Sequence, residues 1–193
     1  MLPPRTANAS AISSSRAVPT RIIPSCLKGL KTQIKPALRP FLLKCVIRIR
    51  IVNCIHSAAG LSLRYKCYEI MREQGHEEPT GQAKITPGYN LPSQYVLHTV
   101  GPIVSGRLNE RHCELLKSCY LSCLKLAEEN GCKSIAFCCI STGVFGFPQR
   151  KAAEIAVSTV KDYKKTTSSD IKVIFNVFKD DDRMIYCDLF AKK

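Results

Sequence analysis

The segment of this 193-residue chain best equipped for chemistry is Ile140-Ser141-Thr142-Gly143-Val144-Phe145-Gly146-Phe147-Pro148. Its two glycines, three apart, carry no Cβ, so the backbone there can come close to a ligand. Successive N–H groups in such a loop, followed by the first turn of a helix, direct positive charge at one spot. The chemistry on offer is the binding of an anion such as phosphate. Phe145 and Phe147 add ring faces for a sugar or a base. Taken alone, Gly-x-x-Gly more often marks a plain tight turn.

Other reactive side chains say less. His56 and His98 titrate near neutrality and are candidates for acid–base work. His98 falls inside a predicted strand and His56 beside alanines on a predicted helix, so both are read as structural. His76 lies in a polar loop and is read as a surface residue. Eleven cysteines are present, with no Cys-x-x-Cys pair among them. Cys119 and Cys123 on a predicted helix and Cys138 and Cys139 in an apolar run are read as small buried hydrophobes, and the thiols as reduced, in a reducing compartment. No catalytic residue follows from these patterns.

To present its amides, the loop must leave a buried strand and enter a helix. Ser134 to Ile140 is a continuous apolar run, as in a strand covered on both faces. Pro148 then opens a helix with Ala152, Ala156, Val160 and Tyr163 inward. Glu110 to Asn130 carries Leu116, Cys119, Cys123 and Leu126 at helical spacing, and Gly131 stands where such a helix ends. Ile55 to about Gln74 reads as one helix. Lys84 to Tyr89 and Gln94 to Val100 read as strands parted by Asn90-Leu91-Pro92. Ile171 to Phe178 is the last strand, followed by a short helix from about Asp181. Upstream, Ile47, Ile49 and Ile51 alternate with Arg48 and Arg50, predicting a strand over Phe41 to Val52. Strands alternating with helices imply an α/β sandwich with a mostly parallel centre. Such sheets bind ligands at the carboxyl ends of their strands.

The formal charge of +14 is unevenly spread. Residues 1 to 53 hold ten Lys and Arg and no acid, whereas residues 54 to 193 hold nineteen basic and fifteen acidic side chains. The chain is therefore divided into an atypical basic segment, 1–45, expected to be disordered, and a domain, 46–193. A basic nucleic-acid-binding role rests on that first quarter alone and is the least favoured reading. No apolar run reaches the 18 residues of a membrane-spanning helix, so no membrane partner is expected.

Several segments gain meaning together. Ile55-His56-Ser57-Ala58-Ala59-Gly60, Glu78-Pro79-Thr80-Gly81-Gln82-Ala83-Lys84-Ile85-Thr86, Tyr95-Val96-Leu97-His98-Thr99-Val100-Gly101-Pro102, the Ile140 loop and Asn176-Val177-Phe178 occur in this order. Together they resemble the macrodomain family, whose members bind ADP-ribose. Gln74-Gly75-His76-Glu77-Glu78-Pro79-Thr80-Gly81 looks most like the zinc-containing class, which hydrolyses protein-linked ADP-ribose. The resemblance runs from about Asn53 to Phe190. It implies a three-layer α/β/α sandwich with a mixed, mostly parallel central sheet and ADP-ribose, or an ADP-ribosylated protein, at the strand ends. Ser141 and Thr142 would open the binding loop, and Gly143, Val144, Phe145 and Gly146 would wrap the diphosphate. Phe147 would lie against the distal ribose. Asn176 and Phe178 would border the adenine, with Phe178 the stacking partner or else a core aromatic.

The resemblance stops short at the amino-terminal side, where the strands are expected to be incomplete. Family members carry an Asn-Ala-Ala-Asn loop, and no such loop precedes Asn53. The zinc class has Cys-x4-His-x-Cys followed by Ile-Asp-Asn; the aligned positions here are Leu43, Arg48, Arg50, Ile51, Val52 and Asn53. Guanidinium offers a metal no lone pair, so neither a zinc site nor any other cofactor is expected in this chain. For residues 1–40 three explanations stay open: an organelle transit peptide, a basic arm contacting a polyanion, or a segment misjoined to the domain. The implied function is an ADP-ribosyl hydrolase, possible impairment included, in the cytoplasm or, with a transit peptide, the mitochondrion. A non-catalytic ADP-ribose-binding module is the alternative.

Overall fold

The structure, a computed structural model, describes residues 32–36 and 50–191. The described elements are β1 (Thr32–Pro36), α1 (Arg50–Ala59), α2 (Leu61–Gln74), β2 (Ala83–Pro87), β3 (Tyr95–Thr99), α3 (Glu110–Glu129), β4 (Ser134–Phe137), α4 (Gln149–Thr167), β5 (Lys172–Val177) and α5 (Asp180–Ala191). Three strands form a parallel sheet in the order β1-β5-β4. Placing β5 in the middle suits its sequence, because Val173, Phe175 and Val177 alternate with less buried Lys172, Ile174 and Asn176. β2 and β3 pair antiparallel, from Ala83 opposite Thr99 to Pro87 opposite Tyr95. Among the described residues no ladder joins this hairpin to the parallel sheet.

The main core gathers Ile135 and Phe137 of β4, Val173, Phe175 and Val177 of β5, and the inward stripes of α3, α4 and α5. A file of rings crosses it: Tyr120 to Phe137 at 4.9 Å, Phe137 to Phe175 at 6.3 Å, Phe175 to Tyr186 at 5.0 Å. Beyond area burial, ring pairs of this kind contribute about 0.5–1.5 kcal/mol each. β3 faces two ways. Leu97 enters the main core, while Val96 joins a small cluster with Ile55, Ala59 and Leu63 of α1 and α2. The hairpin is thus sandwiched between α1–α2 and α3, which makes three layers there.

α3 begins where the side chain of Asn109 accepts from the His112 N–H at 3.0 Å and His112 Nδ1 accepts from the Asn109 N–H at 3.3 Å. This reciprocal cap satisfies two donors that a helix start otherwise leaves open. The predicted inward stripe of α4 is observed, with Ala152, Ala156, Val160 and Tyr163 all buried. Pro148 occupies the N-cap position of that helix and makes no side-chain cap bond.

Four expectations need correction. The strand predicted over Phe41 to Val52 lies outside the described residues except for residues 50–52, and those are helical, opening α1. A period-two reading of three isoleucines competes with the four-residue spacing of Ile51, Ile55 and Ala59, and the burial of Ile55 and Ala59 shows that the latter wins. The single helix from Ile55 to Gln74 breaks at Gly60, whose φ is 84°. A Cβ there would lie 2.8 Å from the amide nitrogen of Asn90, so the β2–β3 turn packs against the break. Thr32–Pro36, within the segment expected to be disordered, add a parallel strand to β5. Finally, β4 stops at Phe137 rather than Ile140, since apolar burial continues beyond the last ladder bond.

Candidate functional site

Past β4, Cys138 and Ile140 stay buried and the chain turns outward at Ser141, with φ at 63°. Few residues with a side chain adopt that conformation. The loop is closed by two bonds of its own: Gly146 N–H to the Gly143 carbonyl and Phe147 N–H to the Ser141 carbonyl, each 3.0 Å. A third comes from the segment after β3, where Val104 N–H donates to the Phe145 carbonyl at 2.8 Å. Thr142 Oγ1 donates to the Cys139 carbonyl at 3.2 Å. These bonds draw mainly on the loop's carbonyls. Among the described residues, the N–H groups of Thr142, Gly143 and Val144 donate to no protein acceptor. α4 follows without a side-chain cap and without an acid in its first turn, which holds Arg150 and Lys151 instead. Open amides running into an uncapped helix start favour a bound anion.

The two glycines serve different ends. Gly146 has φ at 67°, and a Cβ on it would lie 3.2 Å from the Val104 carbonyl, so the fold itself requires it. Around Gly143 a Cβ would meet nothing within 4 Å. The absence of a side chain there leaves the backbone open to close approach from outside. Gly101 lets the end of β3 press on the loop, since a Cβ there would sit 2.2 Å from Ser141 Oγ.

The remaining expected residues fall as follows. Val144 and Phe178 are each 83% exposed, which removes the reading of Phe178 as a core aromatic. Asn176 is half-buried in the central strand β5, next to that exit. Phe145 is buried at the loop's edge. Phe147, expected against the distal ribose, needs correction: it is only 2% exposed and packs in the main core. Its N–H closes the loop onto Ser141, so it supports the loop rather than presenting a face.

A buried polar group beneath the loop escaped the sequence reading. The phenols of Tyr120 of α3 and Tyr186 of α5 are enclosed together with the Cys139 thiol. Burial, then the nearby Asp182 charge, push that thiol upward, so it stays protonated and a poor nucleophile. Gln149 Nε2, at the head of α4, donates to Asp182 Oδ1 at 2.9 Å, and burial raises the Asp182 carboxyl. No spacing rule in the sequence links these residues. His98 and His56 sit elsewhere, between the hairpin and α1. Thr86 Oγ1 lies 2.9 Å from His98 Nε2, and burial with the His56 charge pushes His98 down to about 4. Desolvation and Arg64 lower His56.

Leu43 and Arg48 lie outside the described residues, and Arg50 is the first residue of α1. Among the described residues, no group of three or more His, Cys, Asp or Glu could hold a metal ion.

A sequence profile of the macro domain matches residues 47–156, more than half of the chain. The chain belongs to the macro domain family. This macro domain is 63% identical over 141 residues to a protein-ADP-ribose hydrolase of Treponema medium, covering 73% of the chain and 54% of the relative. It is 55% identical over 146 residues to a protein-ADP-ribose hydrolase of Staphylococcus aureus, covering 74% of the chain and 54% of the relative. The chain thus spans about half the length of the curated relatives it matches. Among solved structures, the Oceanobacillus iheyensis macrodomain with ADP superposes with a TM-score of 0.67 at 33% identity, covering 84% of each chain. Both the α/β fold and the family expected from the motifs therefore stand.

Proposed function

We propose that this macro domain binds ADP-ribose and acts on ADP-ribose attached to proteins as an ADP-ribosyl hydrolase. The observation that carries the binding half is the run of open amides at Thr142, Gly143 and Val144, at the head of an uncapped helix. In this reading the Ser141–Gly146 loop holds the diphosphate, and Asn176 and exposed Phe178 border the adenine. The hydrolase half is supported by the activity named for the Treponema and Staphylococcus relatives. Water would attack the anomeric carbon of the distal ribose and release the acceptor side chain. The loop's part is to fix the substrate and to offset phosphate charge, and such fixed orientation and electrostatics carry much of the acceleration in comparable reactions.

Because guanidinium and an isobutyl group cannot ligate metal, we propose no zinc and no other resident cofactor. Elemental analysis of dialysed protein is expected to find far less than one zinc per chain. Stoichiometric zinc would overturn this and direct attention to Cys45, Cys54 and His76. The same donor set favours a second reading, a non-catalytic ADP-ribose binder. Incubation with a mono-ADP-ribosylated protein separates the two: a hydrolase releases free ADP-ribose in proportion to its own concentration, and a binder retains the modified protein without release. Release of nothing together with retention of nothing would defeat both readings.

The division into residues 1–45 and a domain over 46–193 is kept as a proposal, with β1 as a strand the first segment lends to the second. We propose a reducing, cytoplasmic setting on the bias of intracellular proteins against disulfides. Mitochondrial residence through residues 1–40 is the alternative. Among the described residues no helix is long and apolar enough to cross a membrane. A nucleic-acid partner has no support beyond the charge of the first quarter.

A further inference from the structure

We propose that Ile103 is the side chain with which this site holds the polypeptide that carries ADP-ribose; the inference rests on the reading above. At the carboxyl ends of the strands, three large apolar side chains are exposed: Phe178 after β5, Val144 after β4 and Ile103 after β3, the last by 51%. β5 and β4 are neighbours in the sheet. The bond from Val104 N–H to the Phe145 carbonyl sets the segment after β3 against the loop after β4. Phe178 and Val144 therefore follow neighbouring strands, and Ile103 stands on the segment bonded to the loop that carries Val144 and the open amides.

ADP-ribose is a linear ligand: adenosine, diphosphate, then a second ribose. With the base at Phe178 and the diphosphate on the amides of Thr142 to Val144, the second ribose runs on towards Ile103. A protein acceptor is attached at that ribose's anomeric carbon, so the modified polypeptide emerges on the Ile103 side. Ile103 is held there firmly. It is preceded by buried Pro102 and by Gly101, pressed against Ser141, and followed by Val104, tied to the loop. A β-branched side chain so fixed loses little entropy on contact, which favours its use in binding an apolar group. The partner's chemistry follows: a polypeptide with an apolar side chain next to its ADP-ribosylated residue.

The test uses free ADP-ribose and two synthetic peptides carrying ADP-ribose through a non-hydrolysable linkage, one flanked by leucine and one by glycine. Affinities are measured for the full chain, for Ile103→Ser and for Ile103→Leu. Free ADP-ribose is expected to bind all three within twofold. The leucine-flanked peptide is expected to bind the parent about tenfold better than the glycine-flanked one, the scale of burying part of one aliphatic side chain. Ile103→Ser is expected to erase that preference and Ile103→Leu to restore it. Equal loss for free ADP-ribose and peptide, or no preference in the parent, overturns the role of Ile103 and leaves the nucleotide site standing. A parent that binds none of the three ligands overturns the underlying reading and this inference with it.

Discussion

Gly143→Val is expected to abolish the protection that ADP-ribose gives this chain against heat while leaving the ligand-free protein as stable as before. At a hundredfold excess over its Kd, a ligand that binds only the folded state adds about 2.7 kcal/mol. For a domain of this size that raises Tm by about 5–10 °C. Position 143 is exposed and a Cβ there meets nothing within 4 Å, so the variant should fold unperturbed. The added isopropyl group occupies the space through which a phosphate reaches the Thr142, Gly143 and Val144 amides. Gly146→Ala is the contrast. Its φ of 67° and the nearby Val104 carbonyl make it costly even without ligand, by about 1–2 kcal/mol. Thermal melts of the three proteins with and without ADP-ribose check both. Full protection retained in Gly143→Val would show that the loop amides do not carry the ligand. A large drop in its ligand-free Tm would show that Gly143 serves the fold instead.

Acid should destabilise the domain through His98. In the unfolded chain its imidazole takes a proton near 6.5, whereas in the fold burial and His56 delay this until about 4. Between those values the unfolded state binds more protons, so stability is intact above about pH 6.5 and is lost as pH falls towards 4. At about 1.4 kcal/mol per unit, the loss reaches about 3 kcal/mol. His56, also lowered, acts in the same direction. Asp182, raised by burial, acts in the opposite one. The His98 contribution is therefore isolated by difference. His98→Gln can still meet the Thr86 hydroxyl, and its urea midpoint should fall less between pH 7 and pH 4 than that of the parent. Parallel pH profiles for the two proteins would show that His98 is protonated as easily in the fold as outside it.

Local pattern was enough to place most of the elements. Helical spacing over Glu110 to Asn130 and after Pro148 produced α3 and α4, because a stripe repeating every three to four residues leaves only one way to bury itself. The Ile140 loop was legible for a related reason: two glycines between a buried strand and a helix start have few other uses, and the motifs around it kept family order. Pattern failed where two periods fitted the same few residues, as at Arg50–Val52, and where a glycine ended a helix that the flanking residues would have continued. Tertiary structure alone decided which of two similar residues faces which way. Phe147 and Phe178 are the same side chain, yet one is enclosed and the other 83% exposed. The first is drawn inward by the bond that closes the loop, and the second leaves the sheet beyond the last covered position. Gly143 and Gly146 likewise differ only in φ and in what stands beside them, and the segment around Ile103 meets the loop through the Val104 bond to Phe145, more than forty residues away, and the approach of Gly101 to Ser141. Contacts of that kind join segments remote in the chain, and no local periodicity encodes them.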